Sequence, residues 1–191
     1  MPSALKNVLE LKALVVLRGT ENSGKTTTLR MLLEEMFRDP NTNKIPVQLS
    51  SFFAKRKEFR IIVKYSNNYI YLSTYGDTLE DTQANISFFD GELDNNRLFF
   101  YQPGSAVKPL SKNINYLLEY TPAFCISASR SDGRVPFPLE YYGNKMRIHT
   151  SSLVWLHKEK EVYINLIHNA NQQHAHELLD FIDRKLKKNL I

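Results

Sequence analysis

A single cysteine, Cys125, rules out an internal disulfide, and its apolar neighbours mark it as a small core residue rather than a nucleophile. Long hydrophobic runs are missing: none approaches the ~18 apolar residues that a membrane-spanning helix needs. Met1 to Lys12 is broken by Lys6, Glu10 and Lys12, so it lacks the continuous apolar core of a secretory signal. The expectation is a cytoplasmic chain with no membrane contact. Repeats and low-complexity segments are absent. Histidines at ligand spacing are absent too. His174 and His176 stand two apart on a helical pattern and face different directions, while His149, His157 and His168 have no cysteine or carboxylate at a suitable offset. Charge of one sign is in only modest excess, +5 overall. Of two basic clusters, Arg184-Lys185 with Lys187-Lys188 closes a terminal helix, where cations complement the helix dipole. Lys55-Arg56-Lys57 with Arg60 instead precedes a predicted strand, which keeps nucleic acid open as a partner.

What is present is the composition of an ordinary globular protein: 191 residues, 42% apolar and 24% charged. That suits one α/β domain over residues 1–191. Ala13–Leu17 is a short unbroken apolar run, as expected of a strand buried on both faces of a parallel sheet. A helix is predicted from Gly24 to Phe37, with Leu29, Leu32, Leu33 and Met36 forming one stripe. Val47–Phe53 reads as a weaker strand. Arg60–Tyr65 and Tyr69–Ser73, separated by Ser66-Asn67-Asn68, read as a hairpin. Thr78–Phe89 is predicted helical. Residues 90–110 interrupt the alternation and read as an excursion, a lid or a partner surface. Helix Lys112–Tyr120, strands Ala123–Ser127, Leu153–Leu156 and Val162–Ile167, and a helix Asn171–Lys188 complete the pattern. The predicted architecture is a mostly parallel sheet with helices on both faces, the hairpin adding one antiparallel edge strand.

The chemistry concentrates in one octet, Gly19-Thr20-Glu21-Asn22-Ser23-Gly24-Lys25-Thr26, followed by Thr27. It fits G-x-x-x-x-G-K-[ST] at every position. Glycines let the backbone curl so that successive N–H groups converge on phosphate oxygens. Lys25 can reach the β- and γ-phosphates, Thr26 can ligate Mg²⁺, and the following helix adds its positive dipole end. A buried strand leads in and an amphipathic helix leads out, which is the context the motif requires.

On these residues the chain resembles the P-loop NTPase superfamily, whose Walker A motif is this octet. The resemblance covers about Leu14–Leu33. It implies the three-layer P-loop fold and Mg²⁺-dependent binding of ATP or GTP, followed by hydrolysis or phosphoryl transfer. The superfamily's second acid ends an apolar strand and holds Mg²⁺, and Asp77 is the expected counterpart, with Asp90 and Glu92 behind it. Thr20 separates the loop from the partition-type ATPases, which carry a second lysine there. Glu21 makes it similar to thymidylate kinase relatives, where an acid at this position meets the sugar of the acceptor. The Asp-Arg-aromatic triplet of that family is absent.

Arg130 and Arg134 follow a predicted strand end, where α/β proteins bind ligands, and could neutralise phosphate charge. Ser129-Arg130-Ser131-Asp132 only faintly echoes the guanine-reading [NT]-K-x-D motif, and ATP is expected ahead of GTP. Three functions compete: a small NTPase using Lys25, Asp77 and Arg130; a kinase transferring the γ-phosphate to a small molecule or nucleotide; and a nucleotide-gated module for a protein or nucleic-acid partner.

Overall fold

The computed structural model describes residues 9–20, 22–78, 80–81, 83–85, 97–110, 119–130, 146–148, 153–158 and 164–187. The chain is an α/β protein. Its strands are β1 (Leu9–Leu11), β2 (Ala13–Gly19), β3 (Arg60–Tyr65), β4 (Asn68–Ser73), β5 (Leu98–Tyr101), β6 (Lys108–Pro109), β7 (Pro122–Arg130), β8 (Met146–Ile148) and β9 (Leu153–Lys158). Its helices are α1 (Lys25–Phe37), α2 (Val47–Lys55) and α3 (Ile164–Lys187). Seven strands form one sheet in the order β6-β5-β3-β4-β7-β2-β9, while β1 and β8 pair separately. β9, β2, β7 and β4 all run parallel. β3 turns antiparallel to β4, β5 follows β3 in parallel, and β6 reverses again.

β2 is buried along its length because both faces are covered. Ala13, Val15 and Leu17 meet Leu29, Leu32 and Leu33 of α1, Leu49, Phe52 and Phe53 of α2, and Ala175, Leu178 and Ile182 of α3 in one core. On the opposite face Leu14, Val16, Ile62, Tyr71, Phe100 and Cys125 are buried as well. Burial pushes the Cys125 thiol well up, so it stays protonated and inert. Thr78 and Asp81 cap each other's backbone, Asp81 N–H donating to Thr78 Oγ1 at 3.1 Å, and a helical turn follows. That turn delivers Asn85 to the second face. Asn85 Oδ1 accepts from Arg60 Nε at 2.9 Å, Ser73 Oγ at 2.9 Å and Tyr71 Oη at 3.1 Å. Its Nδ2 donates to Tyr75 O at 2.9 Å and Ser127 Oγ at 3.3 Å.

Several expectations change. Val47–Phe53 is the helix α2, because Leu49, Phe52 and Phe53 fall at i, i+3 and i+4 and all three are buried on the sheet. Residues 164–167 of the strand predicted at Val162–Ile167 are the first turn of α3. The hairpin is central rather than at an edge: β4 pairs with β7 and β3 with β5. Its turn is Ser66-Asn67 alone, with φ 44 and 62, the two-residue left-handed turn that matches strand twist. Leu98–Tyr101 is no excursion but a fully buried strand. β7 continues to Arg130, so Ala128 and Ser129 are strand rather than loop. Asp90, Glu92 and most of the helix predicted at Lys112–Tyr120 lie outside the described residues. Among the described residues no helix is long and apolar enough to cross a membrane.

Candidate functional site

β2 delivers the octet to the carboxyl end of the parallel strands and α1 leaves from it, so Gly19–Thr26 spans a strand-to-helix turn. Asn22 (φ 60) and Gly24 (φ 88) both adopt left-handed backbone, which bends the chain sharply before the first helical residue. Glycine at 24 is required twice over. The left-handed φ disfavours a side chain, and a Cβ there would overlap Asn171 Oδ1. Asn171, on α3 and only 2% exposed, also accepts a hydrogen bond from Thr28 Oγ1 at 3.3 Å. The terminal helix thus holds the loop from behind.

Lys25 is 6% exposed and folds back over the turn. Its Nζ donates to Thr20 O at 2.8 Å and Gly19 O at 3.1 Å, and lies 3.6 Å from Asp77 Oδ1. Ser23 Oγ is buried and has no hydrogen-bond partner among the described residues, an unusual state for a hydroxyl, since most buried polar groups are paired. Thr26 is half-buried and Thr27 exposed at the head of α1.

Asp77 reaches this place because β4 runs parallel to β2. Residues 74–77 therefore leave the sheet at the same rim as Gly19. Gly76 allows a close pass, since a Cβ there would overlap Ala128 O of β7. β3 runs the other way, so its amino end lies level with the end of β4, Arg60 opposite Ser73. Thr74 fastens the two: Phe59 N–H donates to Thr74 Oγ1 at 2.8 Å and Thr74 N–H to Phe59 O at 3.0 Å. The residues just before β3 are thereby brought to the loop.

The result is one cavity of about 710 Å³, within the usual range for small-molecule sites, lined by the loop from Asn22 to Thr27 and by Lys55–Glu58, Tyr75, Asp77 and Asn171. Tyr75 is fixed on two sides, by the Asn85 amide and by the Arg60 guanidinium 4.1 Å from its ring centre. Arg60 is therefore a buried structural cation, not part of a surface patch. Burial first, and then the carboxylates of Asp81 and Asp77, raise the Glu58 pKa, with Arg60 opposing them. A carboxyl group with a raised pKa in a cleft is a candidate for moving a proton.

Of the predicted residues, Asn22, Ser23, Gly24, Lys25, Thr26, Thr27 and Asp77 line this cavity, and Gly19 and Thr20 meet it through their carbonyls on Lys25. Arg130 ends β7 with its Cα in register with Gly19. Glu21 and Arg134 lie outside the described residues. Lys55, Arg56 and Lys57, read from the sequence only as a basic cluster open to nucleic acid, line this cavity instead, and Glu58 and Asn171 carried no site expectation. Asn171 could have carried one, since with Ala175, Leu178 and Ile182 it falls on the buried stripe of α3, where asparagine needs a reason. Lys158 of β9, also in register with Gly19, gave no signal.

Among the described residues no group of three or more histidine, cysteine, aspartate or glutamate side chains is arranged to hold a metal ion. No family model, curated protein or solved structure matches this chain.

Proposed function

We propose that the chain binds a nucleoside triphosphate with Mg²⁺ at Gly19–Thr27 and hydrolyses it, ATP ahead of GTP, as a small NTPase of the P-loop type. The observation carrying this reading is a buried Ser23 hydroxyl, unpartnered among the described residues, in the turn that leads into α1, with Lys25 at the head of that helix and Asp77 3.6 Å from its ammonium. A helix amino end supplies oriented N–H groups and positive potential, and a nearby cation adds to them. Thr26 and Asp77 both line the cavity, and a hydroxyl with a carboxylate suits Mg²⁺, which takes few protein oxygens and completes its shell with phosphate and water. Bound there, Mg²⁺ would neutralise phosphate charge. Lys25 would release the Gly19 and Thr20 carbonyls and take up phosphate oxygens. Glu58, which lines the same cavity, would hold the attacking water and accept its proton as the bond to the γ-phosphorus forms and the β–γ bridge breaks.

One observation favours phosphoryl transfer as a second reading. Lys55 and Lys57 line the wall of the same cavity and have no hydrogen bond or ion pair among the described residues, so they are free to hold an anionic acceptor.

Incubation with γ-labelled ATP or GTP and a panel of small acceptors separates the readings. Free phosphate without acceptor supports hydrolysis, and a labelled product supports transfer. Retained nucleotide binding with neither outcome leaves a nucleotide-gated binding module. Lys25→Ala should abolish turnover. A chain with no measurable Mg²⁺-triphosphate affinity would end the reading altogether.

A further inference from the structure

A second cavity, of about 740 Å³, opens on the far side of Lys55 and Arg56, towards the β6 edge of the sheet. Its walls are Val47 and Phe52 of α2, Phe99 of β5, Val107, and Pro109 of β6. Val47 is 74% exposed, and among the described residues it is the one large hydrophobic side chain left so open. A proline in a two-residue edge strand withholds a backbone donor, which makes this edge a poor template for an added strand and leaves the cavity to a smaller occupant.

Arg56 sets the chemistry. Its guanidinium lies 4.2 Å from the centre of the Phe99 ring and 5.7 Å from that of Phe52. The ring faces attract the cation and hold it at this end of the cavity. None of its donors is used: the Arg56 side chain has no hydrogen bond or ion pair among the described residues, and Lys55 beside it has none. Arg30 Nη2 donates to Phe53 O at 3.1 Å and Arg56 O at 3.2 Å, so the backbone beneath is held. The site therefore pairs an aromatic and aliphatic floor with an unengaged guanidinium fork and one ammonium at one end.

We propose that this cavity binds a small anionic molecule with an apolar body, a carboxylate or sulfonate whose hydrocarbon part lies between Val47, Phe99 and Val107 and whose oxygens meet Arg56 and Lys55. Arginine's planar fork matches a two-oxygen anion, and the pairing is stronger where apolar walls exclude water. Lys55 and Arg56 also line the triphosphate cavity, so Val47, Phe99 and Val107 are what distinguish this site, and binding here does not require nucleotide.

The test uses anilinonaphthalene sulfonate and its uncharged counterpart, phenylnaphthylamine, in fluorescence titrations of the whole chain without nucleotide. The expected result is saturable binding of one sulfonate probe per chain, with the neutral probe weaker. Arg56→Ala should weaken the sulfonate by about tenfold and leave the neutral probe unchanged. Arg56→Lys, which keeps the charge but loses the fork, should recover only part of that loss. Val47→Asp should weaken both probes. Near-ultraviolet circular dichroism and the thermal midpoint must match wild type for each variant, and Lys55→Ala replaces any variant that fails. Displacement by a medium-chain fatty acid against an indole carboxylate then separates aliphatic from aromatic ligands. Equal affinity for both probes, or a sulfonate affinity indifferent to Arg56 and Lys55, overturns the proposal.

Discussion

The two halves of the seven-stranded sheet are built on different logic. β9, β2, β7 and β4 run parallel, with the strand ends of β2 and β4 delivering Gly19 and Asp77 to one rim. β3 and β5 run the other way, so what they bring to the same rim is the chain entering β3, the cationic stretch Lys55–Lys57 with Glu58. The first half thus presents a shaped backbone turn with one buried ammonium, and the second presents exposed side chains. On the proposed reading, anion binding in the first would depend on geometry and in the second on charge. Mutations in the two should fail differently.

The largest effect should come from Gly24→Val, which puts a branched side chain at φ 88 and against Asn171. Backbone strain of this kind is worth roughly 1–3 kcal/mol, and the distorted turn should lose triphosphate binding at any salt concentration by calorimetry. In contrast, Lys55→Ala with Lys57→Ala should leave the thermal midpoint unchanged. If the Gly24 variant and the double lysine variant behaved alike, the distinction between the halves would be lost. Next in size is Asn85→Leu. It removes the acceptor that Arg60, Tyr71 and Ser73 share in a buried site and should destabilise by about 1–2 kcal/mol in urea titrations. Asp77→Asn should depress turnover strongly while sparing much of the nucleotide binding, and normal turnover would remove Asp77 from the chemistry. Glu58→Gln should also slow turnover and remove an acid limb from its pH profile, since the carboxyl must lose its proton to act as a base.

The smallest effect lies far from the rim. Tyr65 donates to Asp183 Oδ1 at 3.0 Å, joining the hairpin to α3, and its pKa is pushed up to about 12 by burial first and then by that carboxylate. A raised folded-state value means that the folded chain keeps a proton the unfolded chain has released. This contribution is therefore complete below pH ~10, the ordinary tyrosine value, and is lost as pH rises through about 12. Thermal midpoints should fall over that window less steeply in Tyr65→Phe than in wild type.

Elements with local signals were legible in the sequence. The β2 run and the α1 stripe each depend on neighbours within a few residues, and Asp77 lies 3.6 Å from Lys25 because it follows a strand that runs with β2. Val47–Phe53 misled because a short apolar run has no decisive period, and only burial of Leu49, Phe52 and Phe53 on one side of a helix decides it. The central place of the hairpin was illegible for another reason. β3–β5 and β4–β7 pairing joins segments far apart in the chain, and alternation alone does not rank partners. Leu98–Tyr101 was hidden by polar and proline-bearing flanks. Asn85 and Asn171 illustrate the hardest case. An asparagine that organises a buried network is spelled like one on the surface, and only Asn171 betrays itself, by its place on an apolar stripe.

The hydrogen bond from Thr28 to Asn171, which also backs Gly24, spans 143 positions of sequence. Synthesis runs from the amino end, so the turn at Gly19–Thr26 leaves the ribosome long before its buttress exists. A nascent chain lacking α3 would hold that turn without its rear wall. Affinity for a ligand there should consequently arrive late and abruptly during translation, once the final helix docks.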